Sequence, residues 1–299
     1  MSQNLLVPEV FIVGFGMVVL LHGLGLYTLL KVKINLLNQK MLVTSLALVE
    51  FVLSLHQVVS HAVKLCGHWS VTWEYIDTLI KWFSYFIIKV IVLHIILDRF
   101  VEIYLNVKYP LYMNEKRTKV IVICVWAVSA ISAGTITILS VYHYVHDDQI
   151  KLIGATFLTI LDFLILITAI STYTYFFLKV RSIKQEESKA NRLSTHQTNA
   201  LLWEKFRVPT FMVVTYLLFN ITGTILSIIG SFAVPDEDTV TIIYTIAFLL
   251  DVPAFLADAC IYLFLQKEVR QRLLMQVKRS NRVQSIESNR VPPNVSQPK

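Results

Sequence analysis

Charge is scarce in this sequence. Only 16% of its 299 residues are Asp, Glu, Lys or Arg, against 55% hydrophobic, and its mean hydropathy is +0.61. That balance excludes an ordinary soluble domain, in which about a quarter of residues are charged. Cysteine is scarcer still. Cys66 falls near the outer end of an apolar run, and Cys124 and Cys260 lie within such runs. The loop "YHYVHDDQIK" offers Cys66 no partner, so no extracellular disulfide is expected. No Cys follows the last apolar run, which excludes palmitoylation of the tail. No nucleophile–base pair and no metal-ligand spacing stands out, so neither an enzyme nor a cofactor is expected. The triplets "NIT" and "NVS" fall in an apolar run and in the tail, so neither is read as a glycosylation site.

What the chain has instead is long apolar runs with charge clustered between them. Runs of about 20 residues or more cross ~30 Å of hydrocarbon at 1.5 Å per residue. Seven spans are expected, at about 9–31, 41–64, 74–98, 119–142, 151–179, 207–233 and 239–265. No signal peptide is expected ahead of the first. Of 27 basic residues, 23 fall in the connections after spans one, three and five and in the tail, leaving Lys64, Lys81, Lys89 and Lys151. The positive-inside rule places those connections in the cytoplasm and the N-terminus outside. The opposite mouth is acidic, with Glu74, Asp77, Asp147, Asp148 and "PDED". The net charge of +7 therefore belongs with anionic membrane lipid, and no nucleic-acid partner is expected. The fold class is an all-α bundle of seven transmembrane helices with a short amphipathic eighth.

Several fragments follow one another in order along these spans. "SLALVEF" in span two centres on Glu50, and "DRF" (Asp98, Arg99, Phe100) closes span three. Trp126 follows Arg99 by 27 residues, and "DACIYLFLQKEVRQRLL" carries Asp258, Ala259 and Tyr262 out of span seven. This arrangement resembles the rhodopsin-like (class A) G-protein-coupled receptors over about residues 9–275. "DRF" is similar to the family's Asp-Arg-Tyr triplet, and "SLALVEF" to its "NLALADL". Asp258 and Ala259 stand where Asn-Pro usually stand. The sequence departs from the family at "FNIT" (219–222), where Cys-Trp-x-Pro is usual. It also lacks the outer Cys of the third helix, with Glu74 about there, and has no Pro in the fifth span. His22 stands about where the first helix has an Asn.

The resemblance implies that Arg99 is held by Asp98 at rest and released to a heterotrimeric G protein, with Phe100 and Tyr262 in the same switch. A snorkelling Arg at the interface is the plainer reading of Asp98 and Arg99 taken alone. Glu204 lies near the family's ionic-lock position but about half a turn out of register, and reads better as an exposed charge beside Lys205 or Arg207. The resemblance further implies a sodium pocket at Glu50 and Asp258. Two carboxylates at mid-membrane depth need a cation, a shared proton or a basic neighbour. A single acid hydrogen-bonded by Ser or Thr is the alternative.

Lys89 lies ten residues before Arg99, about 15 Å up the helix, and needs a partner; Asp162 in span five is at compatible depth. Lys81 stands where the family's amine receptors keep an Asp, which argues against a simple biogenic amine and favours a carboxylate- or phosphate-bearing ligand. Asp77, four residues earlier, pairs with it at helical spacing in the plainer reading. Asp77, Lys81 and Asp251 are the ligand-pocket candidates. Span seven has no Lys, so no retinal attaches there. His56, His61, His68, His143 and His146 near the outer face read as hydrogen-bonded or solvated, or as a proton sensor. Residues 267–277 read as an interfacial helix, with Val269, Leu273 and Leu274 in the lipid boundary and Arg270 and Arg272 at headgroups. Residues 278–299 read as a disordered tail carrying Ser280, Ser285 and Ser288 as candidate phosphorylation sites. The expectation is a plasma-membrane receptor for an unidentified extracellular ligand. The alternative is a seven-span transporter or proton conductor using Glu50, Lys89, Asp162, Asp251 and Asp258 as a relay, against which stands the lack of an internal repeat.

Overall fold

A computed structural model of the chain describes residues 6–31, 37–68, 70–105, 109, 114–141, 147–189, 207–232, 237–265, 269–272 and 274–275. Apart from the turn at Cys66 and Gly67 and single residues at the connections, these residues are helical. Helices α1 (Leu6–Lys31), α2 (Leu37–Leu65), α3 (Val71–Leu105), α4 (Glu115–Val141) and α5 (Asp147–Lys189) are each unbroken. Helix α6 runs over 207–232, with a π-helical turn at Leu217–Ile221. Helix α7 comprises Glu237–Leu249, Asp251–Cys260 and a π-helical turn at Ile261–Leu265. Seven of these segments are long and apolar enough to cross a membrane, the expected number. The chain is a multi-pass, all-α membrane bundle.

Apolar residues divide cleanly between two surfaces. On α1, Val10, Val13, Met17, Leu20, Leu24 and Tyr27 are exposed at helical spacing, while Phe11, Phe15, Val18 and Leu29 are buried. An exposed stripe of that size is untenable in water and natural against lipid tails. Helix α3 takes the centre, packed on α2, α4 and α5. It buries Ile87, Ile88, Ile91, Val92, Ile95 and Ile96 in the core. Helix α1 packs on α2 and the later half of α7, and the end of α6 packs on Glu237–Leu249. Trp126 ties α4 to α2 by donating from Nε1 to Ser45 Oγ at 2.8 Å.

Small residues set how closely α7 approaches its neighbours. A Cβ on Gly14 would lie 3.1 Å from Val252 Cγ1, and one on Gly223 would lie 3.3 Å from the Ala247 carbonyl oxygen. After α2 the chain turns at Gly67, whose φ of 70° is open to glycine at little cost. The turn is closed by His68 N–H donating to the Val63 carbonyl at 3.1 Å, a Schellman arrangement.

Three features differ from the sequence expectation. Helix α3 does not stop at Asp98 but runs to Leu105, so Asp98 and Arg99 lie inside a helix and are only 2% exposed. Arg99 does not snorkel, because carboxylates inside the bundle bond it. Helix α5 continues past the expected span to Lys189. Helix α6 has its Pro, Pro209, only in its first turn, and near its middle the π turn displaces the hydrogen-bond ladder instead. In α7 the break at Leu250 has a sequence cause. Pro253 has no N–H for the Leu249 carbonyl four residues earlier, and its ring crowds that carbonyl.

Residues 269–272 and 274–275 are helical, as expected for part of the interfacial helix. Val269, however, is fully buried against the core, not at the lipid boundary, whereas Leu274 is exposed. Leu273 and residues 278–299, with the tail serines, lie outside the described residues. Replacing Gly223 with Val should lower stability by about 1–3 kcal/mol, because the Ala247 backbone cannot step aside. Gly134→Ala, in open space, should raise it by up to about 1 kcal/mol. Thermal unfolding of the purified protein in detergent measures both.

Candidate functional site

Polar groups inside the bundle gather at four depths. At the basic end Arg99 donates from Nη2 to Asp98 and from Nη1 to Glu102, its neighbours on α3. Tyr109 donates to the other oxygen of Asp98 at 2.5 Å. One guanidinium is thus shared by two buried carboxylates, and charge-assisted bonds of this type are about twice as strong as neutral ones. Phe100 faces away from the cluster. Its ring lies tilted against Tyr175 of α5, centroids 5.6 Å apart, fastening α3 to α5. Glu102 was absent from the sequence reading, although its spacing of three from Arg99 was a usable signal. Tyr109 gave none. Glu204 lies outside the described residues.

At mid-depth, Glu50 and Asp258 come within hydrogen-bonding reach of each other, as the family resemblance implied. Tyr262 belongs to this cluster and not to Arg99. Its hydroxyl lies 2.9 Å from Glu50 Oε2 and 2.8 Å from His22 Nδ1. His22 Nε2 donates to the Phe255 carbonyl at 3.0 Å, so in neutral His22 the Nδ1 is an acceptor. Thr215 donates to Asp258 at 2.9 Å and joins α6 to the cluster. Two ionised carboxylates here would repel, and a shared proton or a bound cation removes the repulsion. Among the described residues no three His, Cys, Asp or Glu side chains converge as metal ligands.

The expected Lys89–Asp162 pair is formed. Nζ lies 2.5 Å from Asp162 Oδ1, and both side chains are buried. Sequence reading did not reveal that α6 completes it. Tyr216 donates to the same oxygen at 2.6 Å and Thr224 to Oδ2 at 2.6 Å, on either side of the π turn. One carboxylate therefore accepts from α3 and from two points on α6, and itself belongs to α5.

Toward the acidic end Lys81 donates to Asp77 Oδ2 at 2.7 Å, the pair expected from spacing. Asp77 also accepts from His56 Nε2 at 2.9 Å and Ser60 Oγ at 3.0 Å. His61 donates from Nδ1 to the Gln57 carbonyl at 2.8 Å, stacks on Phe248 and lies tilted against Phe11, and His68 is exposed. His143 and His146 lie outside the described residues. Asp251 makes no hydrogen bond to Asp77 or Lys81 among the described residues, but the ammonium charges of Lys89 and Lys81 both act on it. Among the described residues its carboxylate is bonded only by Tyr85, at 2.5 Å. Ionised acids in hydrocarbon cost about 2.5–3.5 kcal/mol. The dipole at the start of Asp251–Cys260 offsets about 0.3–1 kcal/mol of that. The charges of Lys89 and Lys81 offset more of it.

Comparison with protein-family models and with curated proteins finds no match to this chain.

The Lys89–Asp162 geometry yields a double-mutant test. Lys89→Met strands a buried carboxylate and should cost about 3–5 kcal/mol. Lys89→Met combined with Asp162→Leu removes both charges and should recover most of that loss. Thermal unfolding of the three proteins distinguishes the outcomes; equal losses in the single and double variants would mean the pair is not formed.

Proposed function

We propose that this chain is a divergent rhodopsin-like G-protein-coupled receptor, carrying an extracellular signal to nucleotide exchange on a heterotrimeric G protein. In this reading it lies in the plasma membrane with the basic connections in the cytoplasm and the N-terminus outside. The observation that carries the proposal is Arg99 buried at the basic end of the central helix and bonded by Asp98 and Glu102. Among the described residues the bonds to this guanidinium come from carboxylates of its own helix, so it is released when those bonds open, without unfolding anything. That makes a two-state element, which a ligand shifts by its differential affinity for the two states. The polar clusters on α6 lie along the route such a shift would take. Thr215 bonds Asp258, and Tyr216 and Thr224 bond Asp162.

A transporter or proton conductor is the competing reading, favoured by the chain of hydrogen bonds through Glu50, Tyr262 and His22. Solute flux or proton current across vesicles bearing the chain would support it; exchange on a G protein would not follow from it.

Guanine-nucleotide exchange is measured on a panel of G proteins in membranes bearing the chain, at two external pH values. Arg99→Ala should reduce exchange to the level of empty membranes. Asp98→Asn removes one clamp worth about 1.5 kcal/mol and should raise basal exchange about tenfold. Exchange unchanged by both substitutions, at normal surface expression, would rule out Arg99 as the switch. In the same assay Glu50→Ala should change basal exchange and remove its dependence on sodium; an unaltered sodium response would leave the mid-depth carboxylates with a structural role alone.

A further inference from the structure

Inside the bundle, cations have acceptors. Lys81, Lys89 and Arg99 bond carboxylates, and Lys179 and Arg207 bond the carbonyls of Ile103 and Leu265 at the ends of α3 and α7. Two cations at the surface are held differently. Lys31 closes α1, where its Nζ donates to the Tyr27 hydroxyl at 2.6 Å and lies 4.0 Å from the centre of that ring. The charge of Arg272, on the interfacial helix, acts on the same phenol. Among the described residues no carboxylate bonds Lys31 or Arg272.

The fold brings these residues together. Gly25 lets α1 close on the last turn of α7, where a Cβ would lie 3.4 Å from the Tyr262 ring. Val269 is buried shortly after, so the interfacial helix leaves α7 beside the end of α1, with Arg272 in its next turn. The place faces lipid. Tyr27 continues the exposed stripe of Val13, Met17, Leu20 and Leu24, and Lys31 lies one turn beyond it. Leu274 and Met275, just past Arg272, are exposed as well. Tyrosines gather where hydrocarbon meets headgroups, and Tyr27 marks that level here.

We propose that Tyr27, Lys31 and Arg272 bind the headgroup of a membrane phospholipid that carries a phosphate monoester, as phosphatidate and phosphatidylinositol 4-phosphate do. The donors suit that group. Lys31 has two N–H groups left after its bond to Tyr27, and Tyr27, having accepted one hydrogen, still has its own to give. The planar fork of Arg272 matches two phosphate oxygens at once. Charge agrees too, since two cations face a group carrying about −1.5 to −2 near neutral pH. A phosphodiester carries a single negative charge, and in phosphatidylserine an ammonium comes with it, which Lys31 repels. The lipid-facing stripe on which the site opens selects a lipid over a soluble phosphate. The site stands independently of the receptor reading, because neither a G protein nor an extracellular ligand enters into it.

The test titrates the purified full chain in detergent with phosphatidate, phosphatidylinositol 4-phosphate or phosphatidylserine, and native mass spectrometry counts the lipids retained. One phosphatidate or phosphatidylinositol 4-phosphate should be held about tenfold more tightly than phosphatidylserine. Lys31→Gln and Arg272→Gln should each weaken that binding about tenfold, and Tyr27→Phe severalfold. Arg270→Gln, on the same interfacial helix, should leave it unchanged, because the cations acting on Tyr27 are Lys31 and Arg272. None of these side chains is buried, so the variants should fold, which thermal unfolding checks. Equal retention of phosphatidylserine, or an equal loss in Arg270→Gln, would overturn the proposal by showing a diffuse basic surface. Displacement of the lipid by an equal concentration of glycerol 3-phosphate would overturn it by showing that a soluble phosphate suffices.

Discussion

A charge in hydrocarbon must find its opposite, and much of this bundle is arranged around that demand. Asp162 shows how far one such requirement reaches. Lys89 on the central helix needs a carboxylate, Asp162 on α5 supplies it, and the carboxylate's remaining acceptor capacity draws in Tyr216 and Thr224 from α6. Three helices are thereby fixed to one another at a single depth. Removing one partner leaves the other uncompensated in a low dielectric, which is why such pairs are costly to break even where they add little to stability.

The same demand explains how the bundle does without features that receptors of this family commonly use. There is no Pro in the later half of α6 and no Asn-Pro in α7. The helical ladder is interrupted instead by π turns at Leu217–Ile221 and Ile261–Leu265, and at Leu250 before Pro253, toward the acidic end. Each interruption lies next to a polar cluster. Tyr216 precedes one, Tyr262 lies within another, and Asp251 follows the break at Leu250. Local irregularity frees or redirects backbone groups, and the polar side chains beside it limit the cost of doing so in lipid.

Arg99 illustrates the limit of reading charge from order along the chain. As a sequence, an acid and a base at the close of an apolar run read most plainly as a snorkelling interface pair, and as a switch only through the family resemblance. The fold buries both, extends the helix six residues further, and adds Glu102 and Tyr109 as partners. Tyr262 moved the other way. Family position suggested a place in the same switch, whereas its hydroxyl lies with Glu50 and His22. Hydroxyl donors such as Tyr85, Thr215, Tyr216 and Thr224 gave no signal at all, since an uncharged group in an apolar span has nothing in its composition to mark what it will bond.

Hydrophobic run length by itself determined the seven helices, because only a helix of about 20 residues both crosses the hydrocarbon and satisfies its own backbone there. Helical spacing and depth also determined two ion pairs. Asp77 and Lys81 are one turn apart on the same helix, and Lys89 is too deep to remain alone. What only the tertiary structure decided is which neighbours share each buried charge. Contact depends on rotation and depth across helices distant in sequence, so Tyr85 on Asp251 and Tyr216 and Thr224 on Asp162 emerge only once the helices are packed.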